Sequence, residues 1–370
     1  MNTLSRTLLW FIAFVASVLA ASVVMIGPQT ALKYAVKIAP YAVIYHNRPA
    51  RAANASTGRL IFYFGDSSVA PPPWARTDTP RIPAVLEDVL ADSYPELGPV
   101  TVVDWSFAGA RLFHYYCLLF EAADYSPDLI IIPINWRNLG PRSWESEERF
   151  SFRELGALVP LSECTTSAEK AILRREGISA PKRFFSPLTQ PVLCIKGLKT
   201  WGRIRLGLES EEDPAARLLE GLRSDETIID RFGDKQLFEQ YTLEVSTSNP
   251  HLETLRLLAE TATRRRNVLL FYITPIHIDE MRQRKPFDPF IFADSVVRLA
   301  NTTTFGTSFC LSLVSLLRET DFIDCFEHYT PEGNRTIARA LAPEVRKLLV
   351  TSQPPPAAAA TVSSRDSQPN

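Results

Sequence analysis

Cysteine is scarce in this chain of 370 residues: there are 5, at positions 117, 164, 194, 310 and 325. They lie too far apart for a disulfide-stapled scaffold, and no CxxC or His-x-x-x-His spacing offers a zinc site. Charge of one sign is also missing. The 40 Lys+Arg against 41 Asp+Glu leave a formal charge of −1, which argues against broad electrostatic capture of nucleic acid. Long apolar runs are limited to one, which excludes a multi-pass membrane protein. What remains is the balance of a globular protein, 46% hydrophobic and 22% charged, with room for one large domain carrying insertions or for two domains.

The single apolar run is Leu8–Ile26, which holds no charged side chain. At about 1.5 Å per residue it reaches roughly 28 Å, close to the hydrocarbon thickness of a bilayer. Residues 1–27 are therefore expected to form an N-terminal membrane anchor. The competing reading is a signal peptide cleaved near Val18-Leu19-Ala20, but apolar character continues past that point through Met25 and Ile26. Arg6 and the α-amino group precede the run and Lys33 and Lys37 follow it, so the charge next to its two ends nearly balances; Arg48, Arg51 and Arg59 lie further on, and the first 60 residues hold no acid. Long domains translocate largely regardless of such charges, which favours an inner-membrane, single-pass protein with its body outside the cytoplasm, in the periplasm.

Residues 28–58 read as a juxtamembrane linker, and 351–370 as a low-complexity tail with nothing to bury. Between them, short apolar runs alternate with helical patterns. Strands are expected at Leu60–Phe64, Val100–Trp105, Asp128–Asn135 and Val268–Thr274, with a fifth, short one at Phe322-Ile323. Helices are expected over Pro83–Tyr94, Leu112–Ala123, Leu252–Thr263, Phe290–Asn301 and from Thr330-Pro331 to about Leu349 with a kink at Pro343. The stretch from about 140 to 250 differs, being dense in charge and poor in strand signal. It reads as a helical insertion, with helix starts at Ser167 and at Asp213-Pro214. The alternation predicts a parallel α/β sheet of about five strands covered on both faces, over 59–350, with any ligand beyond the carboxyl ends of the strands.

Those ends carry the chemistry. Gly65-Asp66-Ser67-Ser68 follows the first strand, Ser106-Phe107-Ala108-Gly109-Ala110 the second and Asn135 the third. The last ends in Asp324-Cys325-Phe326-Glu327-His328. A serine hydroxyl becomes a competent nucleophile when a base takes its proton, and histidine is poised for that near neutral pH. The oxyanion that forms needs preorganised donors, each commonly contributing around 3 kcal/mol. A backbone amide beside Gly109 and the Asn135 carboxamide are of the right kind. Ser68 is the rival nucleophile. His277, in Thr274-Pro275-Ile276-His277, can line the same edge, as can Asp66 and Ser68, or it can be an ordinary loop histidine. His114 reads as a packed core residue.

Gly65-Asp66-Ser67, Gly109, Asn135 and the late acidic-to-His block together resemble the SGNH, or GDSL-like, hydrolase family. The resemblance covers roughly 59–140 and 265–350 and leaves the central segment out. It implies a three-layer αβα, flavodoxin-like fold, with Ser67 as nucleophile, His328 as base, and Gly109 with Asn135 as the oxyanion hole. It implies no cofactor and no metal. Two positions depart from the family pattern. The third block reads Pro133-Ile134-Asn135-Trp136, so the Gly and Asp that usually flank its Asn are absent. The position three before the histidine is Cys325, so the acid must be Asp324, one residue displaced, or there is none. The expectation is a membrane-anchored serine esterase or O-acyltransferase acting on an acylated glycan or other cell-envelope ester outside the cytoplasm. Its rivals are a catalytically inactive SGNH-fold factor that binds envelope polymer, and a lipid-directed esterase.

Overall fold

A computed structural model describes residues 58–69, 80–107, 110–123, 125–139, 159, 164, 166–175, 249–279, 293–294, 296–297, 308–323 and 328–351. The expected anchor, the linker, most of the insertion and the tail lie outside them. Among the described residues no helix is long and apolar enough to cross a membrane.

Five strands, β1 (Arg59–Gly65), β2 (Val100–Ser106), β3 (Leu129–Ile134), β4 (Leu269–Ile273) and β5 (Ser308–Ser312), form one parallel sheet in the order β2-β1-β3-β4-β5. This is the flavodoxin-like order, whose direction of winding reverses between β1 and β3. The helices are α1 (Ile82–Ser93), α2 (Leu112–Ala123), α3 (Ser167–Arg175), α4 (Pro250–Arg264) and α5 (Pro331–Thr351).

Side chains alternate across a strand, so each strand feeds both faces. Leu60, Phe62 and Phe64 of β1 join Ile130, Ile132 and Ile134 of β3 in a core shared with α2, α3 and α4. Ile61 and Tyr63 join Ile131, Leu270 and Tyr272 in a second core under α1 and α5. Every residue of β3 and β4 is buried. Strands covered on both faces read as unbroken apolar runs, which is why these were visible in the sequence.

The helix starts follow local chemistry. Asn249 caps α4 by accepting the His251 N–H at 2.9 Å, ahead of Pro250. Thr330 does the same for α5, accepting the Gly333 N–H at 3.2 Å. Proline at the first helical turn costs nothing there, because its missing N–H has no intrahelical partner. α5 continues through Pro343 to Thr351 as one helix.

The expected fifth strand needs correction. Phe322 forms only an isolated antiparallel bridge to Tyr329, and the fifth strand is Ser308–Ser312. As an edge strand it leaves Phe309 44% exposed, and its Ser-Phe-Cys-Leu-Ser pattern lacks the apolar run of an inner strand. Cys164, in the insertion, is a buried thiol.

Candidate active site

The loops after β1 and β3 open at the point where the sheet reverses its winding, the place where open α/β sheets bind ligands. Tyr63 pairs with Ile131 in register, and Ser67 and Asn135 each lie four residues beyond that pair, at the carboxyl ends of neighbouring strands.

The turn after β1 is shaped by Gly65 and Asp66. A Cβ on Gly65 would lie 2.7 Å from the Val69 Cβ and 2.9 Å from the Ser106 Cβ, so only glycine lets the turn close against the end of β2. Asp66 Oδ1 accepts two bonds, from the Ser68 N–H at 2.9 Å and from the Ser68 hydroxyl at 2.7 Å. The Val69 N–H closes the turn on the Asp66 carbonyl at 3.1 Å. Asp66 and Ser68 are buried and spent on each other, while Ser67 lies between them with its Oγ turned to a different partner.

That partner is His328. Its Nε2 stands 3.2 Å from the Ser67 Oγ, within hydrogen-bond reach, although the two residues are 261 positions apart. His328 is presented by the segment closed by the Phe322–Tyr329 bridge, with its carbonyl accepting the Ile323 N–H at 2.8 Å. The Thr330 N–H bonds the Asp321 carbonyl at 2.9 Å, and the first turn of α5 follows at once. Gly333 permits this packing, since a Cβ there would sit 2.5 Å from the Asp321 carbonyl oxygen.

Asn135 is fully buried at the mouth of β3. Trp136, where the family pattern has Asp, is a core residue whose indole N–H donates to the Thr274 carbonyl at 2.9 Å, tying the loop after β3 to the end of β4. Asn138 is buried, with its N–H on the Asn135 carbonyl at 3.0 Å. His277 is buried past the end of β4, its ring 5.2 Å from that of Phe322. Gly109 and Asp324 lie outside the described residues. The nearest described acid in the chain before His328 is Asp321. Burial raises the pKa of its carboxyl, but the Arg318 N–H and guanidinium outweigh that and hold it below the usual range, so this acid is committed to Arg318. The triple arginine at 264–266 sits at the far end of α4, where Arg264 pairs with Glu169 and Arg265 lies over the Phe120 ring. No group of His, Cys, Asp and Glu among the described residues is arranged to hold a metal ion.

One residue near the site was missed as more than core. His114 occupies the third position of α2, and its Nδ1 accepts the backbone N–H of Arg111 at 3.0 Å. It thus fills the role that Glu or Gln plays in a capping box, at the loop that joins β2 to α2. An accepting Nδ1 requires a neutral ring, and burial, with Arg111 adding to it, pushes the His114 pKa down from 6.5 to about 3. Its imidazole binds a proton near 6.5 in the unfolded chain but only near 3 in the folded one, so acid favours unfolding across that window. The expected cost is up to about 1.4 kcal/mol per pH unit. His114→Gln keeps an acceptor and removes the titration. Urea midpoints at pH 7 and pH 5 should therefore diverge less in the variant than in the parent, and parallel losses would remove His114 from the acid response.

No family model and no curated protein matches the chain. Solved structures do. A catalytic mutant of an acetylxylan esterase from Geobacillus stearothermophilus is 12% identical, with 78% of this chain and 94% of that one covered and a TM-score of 0.39. A protein described as an arylesterase from Agrobacterium tumefaciens is 14% identical, covering 78% and 99%, with a TM-score of 0.38. A protein described as a GDSL-like lipase from Parabacteroides merdae is 10% identical, covering 78% and 96%, with a TM-score of 0.39. At these scores the likeness carries no weight for activity, which rests on the side chains described above.

Proposed function

We propose that this protein is a serine hydrolase of carboxylic esters, built on an SGNH-like plan. The observation that carries the reading is the 3.2 Å approach of the His328 Nε2 to the Ser67 Oγ at the reversal point of the sheet. With the ring proton on Nδ1, the Ser67 hydroxyl donates to Nε2. As Oγ attacks an ester carbonyl carbon, that proton passes to the imidazole. The carbonyl oxygen takes up the negative charge, which the Asn135 carboxamide and the Gly109 N–H stabilise in this proposal. Collapse expels the alcohol, which leaves with the proton from His328, and an acyl group stays on Ser67. Water, activated by the same imidazole, then releases the acid. Attack by a sugar hydroxyl in place of water gives an O-acyltransferase by the same steps.

Ser67 is preferred to Ser68 because the Ser68 hydroxyl donates to Asp66. Asp324 is assigned the role of orienting the His328 ring. For the substrate we favour an acylated glycan or another ester of the cell envelope. Residues 8–26 would hold the protein in the membrane with this domain outside the cytoplasm. The uncharged run at the N-terminus supports the anchor, and the long domain that follows it supports the outer side.

A fluorophosphonate probe tests the central claim, because it reacts with a serine only when a base activates it. Full-length protein is expected to be labelled on the peptide that carries Ser67. Folded protein that takes up no label would favour the non-catalytic, polymer-binding role.

A further inference from the structure

The core under α1 and α5 holds buried tyrosines from the strands and from the segment that carries His328. Tyr63 of β1 and Tyr272 of β4 lie on either side of β3, both fully buried, with hydroxyl oxygens 2.6 Å apart and rings edge to face at 6.4 Å. Tyr329 donates its hydroxyl to the Pro275 carbonyl at 3.0 Å. It packs in the same buried core as Tyr63 and Tyr272. Burial first, then Tyr272, then Tyr329 and Asp104 push the Tyr63 pKa upward.

Two of these residues are a short step along the chain from the reacting pair. Tyr63 lies four residues before Ser67, and Tyr329 directly follows His328. Tyr272 lies three before Pro275, the residue whose carbonyl Tyr329 holds. β1 and β4 do not touch through a backbone ladder, because β3 runs between them. Apolar packing is non-directional and lets elements slide, whereas a hydrogen bond sets distance and angle. We propose that Tyr63, Tyr272 and Tyr329 form a brace that sets the separation of Ser67 and His328, and so act as positioning residues for the reaction. The inference rests on the serine-hydrolase reading and deepens it. Burying hydroxyls in an apolar layer is costly unless each finds a partner, and phenylalanine would fill the same space at no such cost. The brace supplies the reason for hydroxyls in this layer.

The test uses Tyr63→Phe, Tyr272→Phe and Tyr329→Phe in the full chain, with p-nitrophenyl acetate as substrate and a fluorophosphonate as label. The first two variants remove one hydroxyl from the 2.6 Å pair, and the third releases the segment that carries His328. Well below their melting temperatures, the folded variants should lose about 10- to 100-fold in kcat with KM changed less than twofold, and label more slowly by a similar factor. The Tyr63→Phe/Tyr329→Phe double variant should lose less than the product of the two single losses, because both act on one separation. A lowered melting temperature with kcat and labelling unchanged overturns the brace, and so does failure of all three variants to fold. Failure of the underlying reading looks different: the parent protein would then neither label nor turn over the ester.

Discussion

Ser67→Ala is expected to lower kcat/KM on p-nitrophenyl acetate by about 10⁴-fold or more while leaving the folded structure intact. The substitution removes only an Oγ, and the turn around it is held by other groups. The Asp66 carboxylate keeps both bonds from Ser68, and the Val69 N–H keeps the Asp66 carbonyl. No cavity of consequence is opened, so a fall in turnover cannot be assigned to unfolding. Residual activity of roughly 10³-fold over water can persist, since oxyanion donors and substrate binding act without the nucleophile. Ser68→Ala is the informative contrast. It deletes one of two bonds to Asp66 but keeps the backbone one, so a loss of no more than about tenfold is expected. Comparable losses in the two variants would show that the turn, rather than the Ser67 hydroxyl, is what turnover depends on.

His328→Ala is the second large effect, with a loss in kcat/KM of the same order as that of Ser67→Ala. Nucleophile and base act as one unit: without the imidazole, the Ser67 proton has no acceptor near neutral pH, and without Oγ the imidazole has nothing to activate. The double variant should therefore be no slower than either single one, within a few-fold, whereas independent contributions would multiply. Fluorophosphonate labelling should fall in step with turnover. His277 provides the control at this site. It is also buried at the sheet edge, but its ring faces Phe322, so His277→Ala should cost far less than His328→Ala. Equal losses would mean that the assignment of the base to His328 is mistaken.

Much of the sheet was legible before any coordinates. The strands around 60–64, 129–134 and 269–273 showed as apolar runs because both faces of each are covered, whereas the one at 100–105, at an edge of the sheet and broken by Thr101 and Asp104, is only partly buried. The last helix announced itself through a capping residue followed by proline at Thr330-Pro331, while the same signal at Asn249-Pro250 opens α4 two residues before the expected start at Leu252. The fifth strand did not. Ser308–Ser312 lies at an edge, so its exposed positions are free to be polar and the run breaks up. Phe322, which packs on Tyr329 and His277, together with the exposed Ile323 imitated a strand in its place.

The site divides along the same line. The residue types, a serine after the first strand, an Asn after the third and a late histidine, are stated by the chain itself, because chemistry restricts which side chains can serve and loops after strands are where they must stand. That Ser67 and His328 meet at 3.2 Å across 261 positions was decided by the winding of the sheet and by the bridge at Phe322–Tyr329, which no local pattern encodes. Tertiary structure alone also brought two tyrosines from strands 209 positions apart into hydrogen-bond contact. Local sequence dictates which element a segment forms and which groups it offers. Where those groups meet is set by long-range packing, in which each strand's place depends on every other.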